Sequence, residues 1–466
     1  MKKLKLRGQE IKRTGITNDR AIAVALHCVS RHFRRANKTE VLEKLEKVNL
    51  HPEKYVNDEI FGELATIIIN PPKEKRKEGV VLKSESEYYK IFGEHLIDRE
   101  AIEQMDTAMK LPIAVKGALM PDAHVGYGLP IGGVLAAYNA VIPYGVGMDI
   151  GCRMCMSIYP LSPQIINTQK NRLSKILFEE TRFGLSIFDN IIEHELLERH
   201  IFNEIKFVNS LKDKFARQLG TSGHGNHFVD IGIVEIKRKD EKLKLPPGTY
   251  FAILSHSGSR NFGAEVCRHY TNIARDKLQL SGEAVRLAWL DLASQEGQEY
   301  WQAMELAGDY SAANHHIIHN RLSSALGEKP IVRIENHHNY AWKERISEGE
   351  ELIIHRKGAT PANYGDIGII PGTMATPAFL VKGKGNELSL NSAAHGAGRR
   401  LSRRKAKSEL NVRDLHQHLK TKGVELLSGG IDESPMAYKD VYEVMEQQKS
   451  LVDVIGLFYP KIVRME

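Results

Sequence analysis

The amino-acid sequence predicts an α+β (mixed α/β) catalytic body with active-site loops at its strand ends, helical insertions, and a small helical region at the N-terminus. Three observations predict it. From about residue 110 onward, short apolar runs bounded by glycine lead into polar loops, the texture of buried strands. Two long charged stretches, about 161–219 and 263–308, carry apolar residues at helical spacing with few glycines. The first hundred residues differ from both, with short amphipathic runs separated by polar breaks.

In chain order, residues 21–26 and 41–46 read as short amphipathic helices, and the segment Asn70-Pro71-Pro72-Lys73-Glu74-Lys75-Arg76 reads as a linker. An N-terminal helical accessory region is therefore expected over 1–95 and a catalytic domain over 96–466. Residues 111–115 and 132–138 read as the first strands of that body, and 245–260, 329–338, 351–356, 366–371 and 378–382 as later ones, each leading into a polar loop. A helix starting near Tyr438 and the apolar segment 454–459 close the pattern.

Composition narrows the function classes. The chain has 466 residues, 42% hydrophobic and 26% charged, which excludes global disorder. No window of about 18 uninterrupted apolar residues occurs, so neither membrane spanning nor secretion is expected. The four cysteines (Cys28, Cys152, Cys155, Cys267) are too scattered for a disulfide framework, which makes a reducing, cytoplasmic setting the expectation. The formal charge is +7, and Arg399, Arg400, Arg403, Arg404, Lys405 and Lys407 form a local basic run suited to a phosphate-bearing partner.

The histidines carry the chemistry. His124, His224, His227, His256, His337, His338 and His395 lie in Gly, Ser and Asn contexts directly after strand-like runs. Asp149 and Cys152 sit three residues apart in Gly147-Met148-Asp149-Ile150-Gly151-Cys152-Arg153, where glycine freedom lets both point to one centre. Cysteine, aspartate and several histidines suit a transition metal such as Zn²⁺, Mn²⁺, Fe²⁺ or Co²⁺, and a thiolate can bridge two ions. Walker A, GxSxG and HExxH patterns are absent, which removes P-loop transfer, the common hydrolase elbow and the zincin architecture. His224 and His337 read as supports behind the ligands or as structural, His315, His316 and His319 as an ordinary helix face, and Cys28, Cys155 and Cys267 as small core residues.

Eight ordered motifs carry a resemblance. They are Pro121-Asp122-Ala123-His124, Gly147-Met148-Asp149-Ile150-Gly151-Cys152, Gly225-Asn226-His227-Phe228, His256-Ser257-Gly258-Ser259-Arg260, His337-His338-Asn339, Arg356-Lys357-Gly358-Ala359-Thr360, Pro371-Gly372-Thr373-Met374 and Ala394-His395-Gly396-Ala397-Gly398-Arg399. In this order they resemble the RtcB family of RNA-splicing ligases. The resemblance implies joining of RNA ends bearing a 2′,3′-cyclic phosphate or 3′-phosphate to 5′-hydroxyl ends, with GTP and two Mn²⁺ ions, in RNA repair or tRNA splicing. It implies His395 as the nucleophile that becomes guanylylated, Asp122 as a further catalytic carboxylate, and Asp149, Cys152, His227, His256 and His338 as metal ligands with Cys152 bridging.

It further implies nucleotide contacts from Asn226, Phe228, Asp230, Asn339, Pro371, Gly372, Thr373, Met374, Gly396, Ala397, Gly398 and Tyr438, and the basic run directly after His395 adds expected RNA contacts from Arg399, Arg403 and Arg404. TRNA halves or broken RNA ends are the implied partners, and an activating protein partner fits the same reading. The alternatives are a metal-dependent RNA end-processing phosphoesterase and a non-catalytic RNA-binding paralogue. Three departures from the family pattern fall on base contacts: Asp230 where glutamate is common, Ala378 where serine is common, and an ending of Arg464-Met465-Glu466 where Lys-Gly is usual. Retained nucleotidyl chemistry with altered or relaxed guanine selectivity is the resulting expectation.

Overall fold

The computed structural model describes residues 4, 6, 8–33, 36–70, 78–346 and 349–466. Contacts divide the chain into two compact units, Met1–Arg76 and Lys77–Glu466. In the smaller unit the helices Asp19–His32 and Lys38–Leu50 extend well beyond the two apolar runs that announce them, and Gly8–Lys12 and Gly62–Ile69 join them. Their apolar faces meet around Ile11, Ala25, Leu45 and Leu64, all fully buried. Asn37 caps the second of these helices by accepting from Thr39 N at 2.9 Å. The expected linker residues 71–76 lie outside the described residues.

The segment from 78 to 95, expected with the N-terminal region, belongs to the larger unit. The reason is strand pairing: Tyr89–Ile91 runs parallel to Ala114–His124 and forms the edge of a five-stranded sheet. That sheet is ordered Asn339–Arg345, Glu351–Lys357, Ile131–Ala137, Ala114–His124, Tyr89–Ile91. An eight-stranded sheet runs Val332–His337, Arg153–Tyr159, Gly248–Ser257, Phe228–Ile236, Val452–Met465, Ala378–Gly383, Ile367–Ile370, with Glu425–Ser428 added in parallel to Val452–Met465. Strands and helices thus mix within one body, as the α+β expectation holds.

Both faces of the larger sheet are covered. Tyr159, Phe251 and Ile253 pack under Leu173, Leu177, Ile318 and Leu322 of the helices Lys170–Glu180 and Gln295–Leu326. Their chain neighbours Ile158, Ala252 and Leu254 point to the opposite core with Leu380 and Phe458, as the two-residue period of a strand requires. Burial on both sides is why these strands read as continuous apolar runs rather than alternating ones. The long helix Gln295–Leu326 starts at Ser294, whose side chain accepts from Gly297 N, and stops at left-handed Gly327. The expected helix near Tyr438 is short, Val441–Glu446, and the last apolar segment grows into the strand Val452–Met465. Among the described residues, no helix is long and apolar enough to cross a membrane.

Candidate active site

The chain passes from one sheet to the other across a single residue. His337 ends a strand of the larger sheet, paired with Arg153, and Asn339 begins a strand of the smaller one, paired with Lys357. His338 is the corner between them, and its N–H donates to Cys152 O at 3.0 Å. Register brings the other groups to the same place: Met154 lies opposite His256, and Phe228, directly after His227, also lies opposite His256.

The side chains converge accordingly. Cys152 Sγ lies 3.4 Å from His227 Nε2 and 3.2 Å from His256 Nε2. His227 Nε2 is 2.8 Å from Asp149 Oδ2, and His256 Nε2 is 3.1 Å from His338 Nε2. Two groups able to hold a cation result, Asp149/Cys152/His227 and Cys152/His256/His338, with ligand atoms in each group within 4.8 Å of one another. Cys152 belongs to both. Gly258 makes room for this arrangement, since a Cβ there would meet Asp149 Oδ1 at 2.0 Å.

Proton positions fit ligation. His256 donates from Nδ1 to Asn226 O at 2.9 Å, which leaves the Nε2 lone pair facing Cys152 and His338. Burial lowers His256 to about 3 and pushes His338 well below its ordinary value, so both imidazoles are neutral. The free Nε2 of His256 lies 3.1 Å from His338 Nε2, close enough for the two nitrogens to share a proton or to ligate one cation together, so these residues fit a metal. Burial, with Asp149 beside it, pushes the Cys152 thiol well above its usual range, so it loses its proton only when a cation repays the charge. Burial pushes the Asp149 carboxyl up, but His227, Cys152 and His256 together hold it below its ordinary range.

His395 follows the short strand Ser392–Ala394, which pairs with Ala359–Pro361. Its Nδ1 donates to Asp122 Oδ2 at 2.7 Å and its backbone N–H to the same oxygen at 3.2 Å. Asp122 is fully buried, and its Oδ1 has no partner. Held in this way, His395 presents Nε2 as its free lone pair, with its ring centre 5.0 Å from that of His338. Gly398 permits the close approach, because a Cβ there would lie 2.2 Å from Asp122 O.

These groups line a cleft of about 900 Å³, and all twelve positions expected to contact a nucleotide line it too. Asp122 and His227 stand just behind the wall, acting on His395 and Cys152. Burial pushes the Asp230 carboxyl well above its ordinary value, and its Oδ1 is unpartnered. The arginines expected to contact RNA are held in different ways. Arg403 is held by Asp432 at 2.9 Å and by Glu433, and Arg399 by Glu433, Tyr438 and Asp432 O, so neither is a free cation. Arg404 lies on the exposed face of the helix Arg403–Glu409, outside the cleft lining.

The family described as tRNA-splicing ligase RtcB matches residues 104–206 and 189–465. The chain belongs to the RtcB family. It is 32% identical to the RNA-splicing ligase RtcB of Escherichia coli K12, over 77% of this chain and 92% of that protein. It is 30% identical to the tRNA-splicing ligase RtcB of Nanoarchaeum equitans, over 78% and 91%, and 29% identical to that of Archaeoglobus fulgidus, over 76% and 88%. In this RtcB chain the cleft also contains groups the sequence reading passed over. Glu433 lines it and Asp432 holds the lining residue Arg403, and neither acid had a signal beyond its position shortly before Tyr438. Lys357 had one, since it lies in a quoted motif; burial lowers it to about 8, and it donates to Tyr127 O and Tyr144 O.

Two further histidines depart from the helix-face reading. His315 and His319 are fully buried against the larger sheet. Every nitrogen of the two rings is partnered: Ser157 and Ser255 hold His319, and Ser255 and Ser257 O hold His315. With Cys155 they form a third group of metal-ligand types, yet these bonds account for it as a polar brace on the strand that carries His256. His224 pairs with Glu466 and His337 stacks on Trp342, as structural histidines.

Proposed function

We propose that this chain is an RNA ligase that joins 3′-phosphate or 2′,3′-cyclic phosphate ends to 5′-hydroxyl ends, using GTP, a histidine-GMP intermediate and two Mn²⁺ ions. The observation that carries it is His395, held through Nδ1 by buried Asp122 with Nε2 free, in one cleft with two ligand groups that share Cys152. Asp149, Cys152 and His227 would hold one ion and Cys152, His256 and His338 the other, with Cys152 bridging as thiolate. Bound there, the ions would neutralise phosphate charge and activate the attacking oxygens.

The residues then act in order. His395 Nε2 attacks the α-phosphorus of GTP; an N–P bond forms, pyrophosphate leaves, and Asp122 stabilises the positive charge that the ring acquires. A 3′-phosphate oxygen of RNA next attacks the same phosphorus and displaces His395, giving RNA capped by GMP through a pyrophosphate bond. Finally the 5′-oxygen of the second strand attacks the RNA phosphorus, its proton leaves, and GMP departs as the 3′,5′ bond forms. A cyclic phosphate must first be opened by water. The small residues Gly396, Ala397 and Gly398 admit phosphate next to the nucleophile. Asn226, Phe228, Asp230, Thr373, Met374 and Tyr438 form the nucleotide wall.

Mass spectrometry after incubation with GTP and Mn²⁺ tests the proposal. A GMP adduct on His395, lost in His395→Ala along with joining, is expected. Joining that persists in His395→Ala, or joining by wild-type protein with no adduct at any time point, refutes it. The adduct also separates ligation from simple phosphoesterase action, which needs no linked nucleotide.

A further inference from the structure

Both sheets contribute to the lining of the cleft, and helices and loops complete it. Phe228, Asp230, Met374 and Met465 come from the eight-stranded side. Tyr127, from the loop between Ala114–His124 and Ile131–Ala137, and Lys357 come from the five-stranded side. His395 lies between them. A Cβ on Gly358 would approach His395 Cε1 to 3.1 Å, and a Cβ on Gly396, the next residue, would approach Pro371 O to 3.4 Å.

The loop that carries Tyr127 is pinned at three points. Gln104 grips Gly126 twice, donating to its carbonyl at 2.7 Å and accepting from its N–H at 2.9 Å. Lys357 Nζ donates to Tyr127 O. Gly128, at φ +75°, packs so closely on Arg286 that a Cβ would lie 2.9 Å from the Arg286 carbonyl oxygen. Yet the ring this loop presents is 60% exposed. Arg286, also ion-paired to Glu283 at 3.1 Å, places its guanidinium 5.5 Å from the ring centroid. Single exposed aromatics are ordinary on a protein surface. A rigidly held one, backed by a cation and lining the cleft of the nucleophile, has the features of a base-stacking platform.

We infer that Tyr127, backed by Arg286, is the platform on which the 5′-terminal base of the hydroxyl-bearing RNA strand stacks. The inference rests on the ligase reading above. In an in-line displacement the attacking and leaving oxygens lie on opposite sides of the phosphorus. With the leaving nucleotide on the Phe228 and Asp230 wall, the attacking 5′-hydroxyl comes from the Tyr127 wall. Stacking accepts any base, as joining varied RNA ends requires.

The test uses a short single-stranded RNA with 2-aminopurine as its 5′-hydroxyl nucleotide, titrated with the full chain in Mn²⁺, and a second RNA with the same probe at a 3′-phosphate end. Wild type and Tyr127→Phe should quench the 5′ probe. Tyr127→Ala should lose that quench and bind on the order of tenfold or more weakly, while quench of the 3′ probe is unchanged. Equal 5′ quench in wild type and Tyr127→Ala, or a change confined to the 3′ probe, overturns the inference. Fluorescence does not require nucleotide transfer, so a missing His395 adduct with intact Tyr127-dependent quench would sink the ligase reading alone.

Discussion

Replacing Asp122 with asparagine isolates the charge that acts on His395. Both donors of His395 aim at Oδ2, at 2.7 and 3.2 Å, while Oδ1 is buried without a partner. The asparagine carbonyl therefore takes the Oδ2 place and its NH₂ the vacant side, so His395 keeps its proton on Nδ1 and Nε2 stays free. Only the negative charge is lost, and it matters when Nε2 bonds to phosphorus and the ring becomes positive. At the 2.7 Å separation, a unit charge pair is worth about 6 kcal/mol at an effective dielectric of about 20. The His395 side chain is 15% exposed and the asparagine carbonyl dipole keeps part of the attraction, so roughly 2–4 kcal/mol of it should be lost in the transition state.

At about 1.36 kcal/mol per decade, that loss slows nucleotidyl transfer by roughly 30- to 900-fold. The assay is single-turnover labelling of the protein by α-³²P-GTP with Mn²⁺, free of RNA. The new NH₂ has no acceptor, so Asp122→Asn should also lower stability by about 1–3 kcal/mol, and rates must be taken well below its melting range. A labelling rate within about threefold of wild type, under about 1 kcal/mol, would refute the electrostatic role.

Three other outcomes follow from the geometry. Cys152→Ala should lose both bound metal equivalents by elemental analysis, whereas His338→Ala should lose no more than one; equal losses would reject the shared ligand. Because Asp230 is buried and held toward its neutral form, with Ala378 opening the same wall, ATP should label His395 within about tenfold of GTP, about 1.4 kcal/mol of discrimination; labelling by GTP alone would count against relaxed selectivity. Burial lowers His355, which accepts from Ile142 N and donates to Leu135 O, to about 4. Its folded pKa lies below the unfolded value of about 6.5, so its contribution is fully present above about pH 6.5 and falls by up to about 3 kcal/mol as pH drops toward 4. His355→Gln should therefore show a shallower fall in urea midpoint across that window than wild type, and parallel curves would exclude it.

Much of the fold was legible because its strands are buried on both faces. Runs such as 251–254 and 378–381 are apolar at every position, and they appear as strands in the structure. The cluster 78–95 was not legible, since only its pairing with Ala114–His124 shows which unit holds it. In the site, the family resemblance named the proposed nucleophile and ligand residues, which the fold brings into one cleft or just behind it. It did not reveal that Arg399 and Arg403 are already paired with acids, because Asp432 and Glu433 lie about thirty residues away. Helical spacing likewise could not show that His315 and His319 turn toward the sheet, since their serine partners lie on other elements.

The sequence by itself determined the donor types: one cysteine and one aspartate in a glycine-rich turn, histidines at strand ends, and a histidine flanked by small residues. Those are properties of side-chain chemistry and local backbone freedom, which neighbours in the chain dictate. Only the tertiary structure decided which donor atoms converge, that Asp122 reaches His395 from 273 positions away, and that Tyr127 is left exposed at the cleft. Strand register and the corner at His338 between the two sheets make those choices, and register is set by long-range pairing that no local stretch encodes.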